Sequence, residues 1–146
     1  MAAINPYLNF VGTTEEAFNF YRSVFGGEFT SLVRFKDTPE AGKLPKEDQE
    51  KLMHVSLQIG KGQILMGTDA LESAGHKLTF GTNFSLCVSV ESEAEADKIF
   101  TGLSAGGKVT VPIAKMFWGA YFGMCFDKFN VQWMVSFDPQ FLTQIK

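Results

Sequence analysis

Trp118-Gly119-Ala120-Tyr121-Phe122-Gly123-Met124-Cys125-Phe126 is followed by Asp127-Lys128-Phe129-Asn130 and then by Val131-Gln132-Trp133-Met134-Val135-Ser136-Phe137. This stretch reads as two β-strands joined at Asp127–Asn130. Asp and Asn at the corners of a short connection bond their own backbone and tolerate left-handed geometry. In the second strand Val131, Trp133, Val135 and Phe137 alternate with Gln132, Met134 and Ser136. A period of two means that one face packs on a core while the other looks elsewhere.

Upstream, the same kind of hairpin is expected at Leu52 to Ile59 and Gln63 to Thr68, around Gly60-Lys61-Gly62. Tyr7 to Val11 is expected as a strand, and Thr13-Thr14-Glu15-Glu16 as a helix start with a hydroxyl cap and acids in its first turn. Ala17, Phe18, Phe20, Tyr21, Val24 and Phe25 follow at helical spacing, and Gly26-Gly27 stops the helix. Phe29 to Phe35 reads as a strand, and the charged, Pro-containing run Asp37 to Lys51 as an exposed loop or short surface helix. The order then recurs: strand Phe84 to Val90, a helix opening at Ser92-Glu93-Ala94-Glu95 and stopping before Gly106-Gly107, strand Lys108 to Ile113, and the quoted hairpin.

The two copies align at a fixed offset, Glu15 with Glu95, Phe20 with Phe100, Gly26-Gly27 with Gly106-Gly107 and Thr30 with Thr110, each 80 apart (100 − 20). The expected fold is therefore α+β: two tandem βαβββ modules within a single domain, 1–146. Module one covers about 1–70, a linker 69–83, and module two 84–138.

A chain of 146 residues can bury a sizeable core. Net charge −3 and a pI near 5.4 argue against nucleic acid, which needs a basic patch. No apolar run approaches the ~20 residues of a membrane span, and no signal-peptide pattern opens the chain, so a cytoplasmic protein is expected. Cys87 and Cys125 lack CxxC spacing and read as buried free thiols inside strands.

Pro6-Tyr7-Leu8-Asn9-Phe10, Glu16-Ala17-Phe18-Asn19-Phe20-Tyr21, Val24-Phe25-Gly26-Gly27, Met53-His54-Val55, Phe117-Trp118-Gly119 and Asp127–Met134 together resemble the vicinal-oxygen-chelate superfamily (glyoxalase I, bleomycin-resistance proteins, extradiol dioxygenases), and within it the PhnB-like branch. The resemblance implies two modules whose mixed sheets curve around a concave cavity with the helices outside, and a homodimer. PhnB-like sequences have also carried a demethylubiquinone methyltransferase label. No Gly-rich loop stands between a strand and a helix here to hold S-adenosylmethionine.

Metal-using members take four His, Gln or Glu ligands from the inner faces of the modules' first and last strands. Carried over by the flanking motifs, those positions fall at Pro6 (or Asn5 or Tyr7), Leu65 or Met66, Ser85 and Met134. None is His, Glu or Asp, so neither a metal nor another cofactor is expected.

On the inferred inner faces stand His54, Ser56 and Gln58 in one strand, Ser85, Cys87 and Ser89 in another, and Gln132, Met134 and Ser136 in the last. For the first strand, polarity would turn Asn5, Tyr7 and Asn9 inward, whereas the motif register would turn Pro6 inward. Trp118 and Tyr121 complete the expected ligand pocket, as rim or lining aromatics. Ser and Cys on such faces also serve as filler, and Met134 as packing. His54 stands out as the candidate acid–base residue, since imidazole is the side chain that changes charge near neutral pH. The alternative is a hydrogen-bonded structural histidine.

Three functions fit: a metal-free protein binding an unidentified apolar or aromatic small molecule, a lyase or isomerase using His54, and a non-catalytic structural dimer. Fifteen Phe and six Met suit a lined apolar pocket and a large core equally.

Overall fold

Helix α1 (Thr14–Phe25) follows strand β1 (Tyr7–Phe10), and its buried residues Thr14, Ala17, Phe18 and Tyr21 form the stripe that the sequence spacing predicts. Its start is held differently from the expected hydroxyl cap. Thr13 makes no side-chain capping bond. Instead Thr14 N–H and Oγ–H both donate to Asp69 Oδ1, at 3.1 and 2.6 Å, while Leu52 N–H donates to Asp69 Oδ2 at 2.8 Å. A buried carboxylate from a distant strand thus satisfies the first turn and favours the positive end of the helix dipole. Gly26, at φ 75°, ends the helix with its N–H on Arg22 O at 2.8 Å.

The structure is a computed structural model that describes residues 2–140. The chain divides into two compact units, one ending at Thr79 and one beginning at Phe80. In the first unit β1 is followed by β2 (Glu28–Arg34), β3 (Leu52–Ile59) and β4 (Gln63–Asp69) in a mixed sheet of order β1-β4-β3-β2, with β1 and β4 parallel. Between β2 and β3 the chain makes three single 3-10 turns, and a fourth lies at Glu72–Ala74. The charged run there is not wholly solvated: Asp48 is buried, accepting from Ser73 Oγ at 2.5 Å and Lys51 Nζ at 2.8 Å. Those bonds, Lys51 first, hold its carboxyl below the usual range.

The second unit repeats the plan with β5 (Leu86–Ser89), α2 (Glu93–Ser104), β6 (Lys108–Lys115), β7 (Tyr121–Phe126) and β8 (Gln132–Phe137), in the order β5-β8-β7-β6. Here the expected cap is present: Ser92 Oγ accepts from Glu95 N–H at 3.0 Å. The chain is therefore α+β, two βαβββ modules, with two mixed four-stranded sheets and two α-helices among the described residues.

The repeat is real in the strands and shifted in the helices. Tyr7 pairs with Met66 as Cys87 pairs with Met134, and Glu28 pairs with Gln58 as Lys108 pairs with Phe126. These β1/β5 and β2/β6 equivalents stand 80 apart (87 − 7, 108 − 28), as the sequence alignment has them. A bulge falls at Thr30 and again at Thr110, between the same ladder positions. The helices span residues 14–25 and 93–104, an offset of 79 (93 − 14). Buried Ala17 and Tyr21 correspond to buried Ala96 and Phe100. The alignment of Glu15 with Glu95 and Phe20 with Phe100 is thus corrected by one residue. The second connection absorbs the difference at Ala105.

Each helix packs on the strongly apolar face of its own sheet. In unit one Val55, Leu57, Leu65 and Leu8 are buried on that face, with Gly67 leaving room for the Phe18 ring. A bulge between Val33 and Arg34 removes Met53 from the series. Met53 is exposed while Leu52 is buried, the reverse of strict alternation. In unit two Cys125, Trp133 and Val135 are buried, and Gly123 lies against the Phe100 ring.

Candidate functional site

The face of the first sheet turned away from α1 is built by three adjacent strands. The ladder sets Tyr7 beside Met66 and Ser56 beside Met66; one step along, Asn9 stands beside Thr68. From β1 the Tyr7 hydroxyl crosses over β4 to lie 3.1 Å from His54 Nδ1 on β3, with the two rings 5.7 Å apart and inclined at 36°. This contact decides the direction of the first strand. Tyr7 and Asn9 face the same way as His54 and Ser56, as polarity implied, and Pro6 does not.

Ser56 is buried and accepts from Thr30 Oγ at 3.0 Å. Gln58 is on the same face but exposed near the hairpin end, where it pairs with Glu28. Thr68, which sequence reading did not single out, donates to Met53 O at 2.7 Å. His76 is exposed.

The equivalent face of the second sheet has a different chemistry. Cys87, Met134 and Met124 stand in one row across β5, β8 and β7; Ser89, Ser136 and Phe122 occupy the next. At the edge Gln132 Nε2 donates to Ser85 Oγ at 2.5 Å, so those two candidates also come together. Trp118, about half exposed, packs edge-on against Phe122 at 5.7 Å and against the exposed Phe117 at 5.0 Å.

Two expectations are corrected here. Tyr121 does not belong to this face. It shares the parity of Gly123 and Cys125, toward α2, and its hydroxyl donates to Asp97 Oδ1 at 2.5 Å. That bond, with burial adding, raises the phenol above its ordinary pKa. Cys87 is exposed rather than buried, whereas Cys125 is fully buried. Burial raises the Cys87 thiol, partly offset by a hydrogen bond with Ser89; burial and then the Asp127 charge push Cys125 up to about 11.

Met124 and Phe122 could have been found from Gly123. A glycine in a strand marks the side where another element approaches closely, which assigns its two neighbours to the other side.

Among the described residues no three His, Cys, Asp or Glu side chains gather in a group able to hold a metal. The four family positions offer a phenol or its neighbours, the thioethers of Met66 and Met134, and the Ser85 hydroxyl already engaged by Gln132. That set does not fit a hard or borderline divalent ion. No described helix is long and apolar enough to cross a membrane.

The model of the family described as 3-demethylubiquinone-9 3-methyltransferase matches residues 2–136. The chain belongs to this family. A crystal structure of protein PA1353 from Pseudomonas aeruginosa is 35% identical, with TM-score 0.83 over 94% of this chain and 98% of that one. The PhnB protein from Bacillus cereus is 31% identical, with TM-score 0.75 over 93% and 99%. The curated protein YjdN of Escherichia coli (strain K12) is 28% identical over 97% of this chain and 99% of its own. Glyoxalase-related and glyoxalase/bleomycin resistance/dioxygenase-type structures share the fold alone, at 19% and 18% identity with TM-scores of 0.65 and 0.61. The family is PhnB-like, with the fold of the glyoxalase/bleomycin-resistance structures.

Proposed function

We propose that this family member is a binding protein for an apolar or aromatic small molecule carrying one hydrogen-bonding group, that it uses no hard or borderline divalent metal, and that it works as a cytoplasmic homodimer. The observation that carries the reading is the Tyr7–His54 pair, a phenol 3.1 Å from an imidazole on the sheet face turned away from α1. Such a pair presents donors to a carbonyl, phenolate or carboxylate while the neighbouring Met66 offers apolar contact. Methyl transfer is not part of the proposal. The strand-to-helix connections are Val11-Gly12-Thr13 and Val90-Glu91-Ser92, and the sheets are mixed, unlike the glycine-rich turn of a parallel nucleotide-binding sheet.

The same pair favours one second reading, a lyase or isomerase in which His54 moves a proton and Tyr7 orients it. Native mass spectrometry of the purified protein, with Tyr7→Phe and His54→Ala beside it, separates the readings. We expect a retained small molecule on the wild type, loss of affinity by about tenfold or more in both variants, and stability within about 1 kcal/mol because Tyr7 is 45% exposed. Normal binding by a destabilised His54→Ala would make the pair structural. Retained binding with turnover lowered by about 10²–10⁴ would establish the enzyme. Elemental analysis should find no stoichiometric Ni, Zn, Fe or Mn, and light scattering a mass of two chains.

A further inference from the structure

We propose that the second unit holds a binding site for a soft monovalent metal ion, Cu(I), made by Cys87 Sγ with the thioethers of Met134 and Met124. The three residues are neighbours in one row. Cys87 pairs with Met134 across the parallel β5–β8 ladder, and Met134 pairs with Met124 across the antiparallel β8–β7 ladder. Adjacent strands lie about 4.8 Å apart, so side chains paired on one face reach a common point above the central strand. All three are on the face turned away from α2, since their neighbours Cys125, Trp133 and Val135 form the buried helix side.

Access and chemistry agree with this placement. Cys87 is exposed, and Met134 and Met124 are half-buried. The residues of the next row nearest the cysteine, Ser89 and Ser136, are small. One thiolate with two thioethers is a soft donor set, of the kind that selects Cu(I) over Mg, Mn or Zn. It is unrelated to the oxygen and imidazole donors that the first sheet presents, and it does not rest on the proposed small-molecule function.

Binding exchanges a proton for the metal. The Cys87 S–H bond breaks, the sulfur pair forms the S–Cu bond, the proton passes to buffer, and copper stays Cu(I) throughout. Metal and proton compete for the thiolate, so apparent affinity rises with pH.

The test is an anaerobic titration of the full chain with Cu(I) against bicinchoninate. One Cu(I) per chain is expected to be withdrawn from the chelator, and X-ray absorption should report a shell of sulfur alone. Cys87→Ser and Met134→Leu should each weaken binding by at least about tenfold, 1.4 kcal/mol. Leucine keeps the methionine volume, so the sheet stays folded. Cys125→Ala, on the buried side, and His54→Ala, in the first unit, should leave binding unchanged. No competition with bicinchoninate, or equal binding by wild type, Cys87→Ser and Met134→Leu, means adventitious copper only and overturns the site.

Discussion

Replacing Asp127 with alanine is expected to cost about 3–5 kcal/mol in a denaturant melt, because three donors lose a buried acceptor at about 1–3 kcal/mol each and one or two can be rehydrated. Its Oδ1 accepts Phe129 N–H at 2.8 Å and Val131 N–H at 3.0 Å, while Oδ2 accepts the Trp133 indole N–H at 2.8 Å. Asp127 is 2% exposed. One carboxylate therefore forms the β7–β8 turn, in which Asn130 takes φ 67°, and also fixes the largest side chain beneath it. Asp127→Asn should fall between, keeping an oxygen for the backbone but turning an N–H₂ toward an N–H. Trp133→Ala, at 3% exposure, should cost about 3–5 kcal/mol by itself. The double variant should lose less than the sum, since each single change already breaks their shared bond. A loss under about 1 kcal/mol for Asp127→Ala would show that the turn forms without it.

Gly27→Ala should be comparably severe, at roughly 2–5 kcal/mol, combining a left-handed backbone with an overpacked contact. Gly27 has φ 87°, and an added Cβ would stand 2.0 Å from Gln58 O. The clash is with main chain at the terminal pair of the β2–β3 ladder, where Gln58 faces Glu28 and cannot give way without breaking that pairing. Its neighbour supplies the comparison: Gly26 has φ 75° but nothing within 4 Å. Gly26→Ala should therefore cost only the conformational part, about 1–2 kcal/mol. Equal losses for the two variants in chemical denaturation would remove the steric argument. Gly107→Ala tests the repeat, since its Cβ would stand 2.1 Å from Phe126 O.

Element order was legible because it rests on local signals. The Gly-Gly stops, the acidic first turns and the alternation in β8 each lie within a few residues, and the structure has an element at each. The side of β8 was also legible, because Gln132, Met134 and Ser136 contrast with Val131, Trp133 and Val135. Strand β7 offers no such contrast. Tyr121, Phe122, Met124, Cys125 and Phe126 are all apolar or aromatic, so residue type alone does not show that Tyr121 faces α2. The bulge that exposes Met53 is invisible to a strict period of two. A cysteine in a strand suggests burial by its type, yet β5 is only four residues long and the Cys87 side chain on its outer face is exposed. The Tyr7–His54 pair joins residues 47 apart. Polarity gave each the right face, but no pattern in either segment names the other. The one-residue slip between helices and strands escaped because Gly-Gly, Thr and Glu matches at 80 outweighed the buried positions, which align at 79.

The contrast between the two helix starts has a kinetic consequence. Ser92 caps α2 from three residues away, so that helix can nucleate from its own segment. The carboxylate that secures α1 lies 55 residues along the chain, at the end of β4. Its first turn is complete only after β3 and β4 have paired and carried Asp69 into place, which makes α1 a high-contact-order element and α2 a low one. As a hypothesis open to pulsed hydrogen exchange during refolding, the α2 amides should gain protection before those of α1, and Asp69→Asn should slow protection of the Thr14 turn while leaving the Glu95 turn on time. Two copies of one plan would then fold in a fixed order, the second before the first.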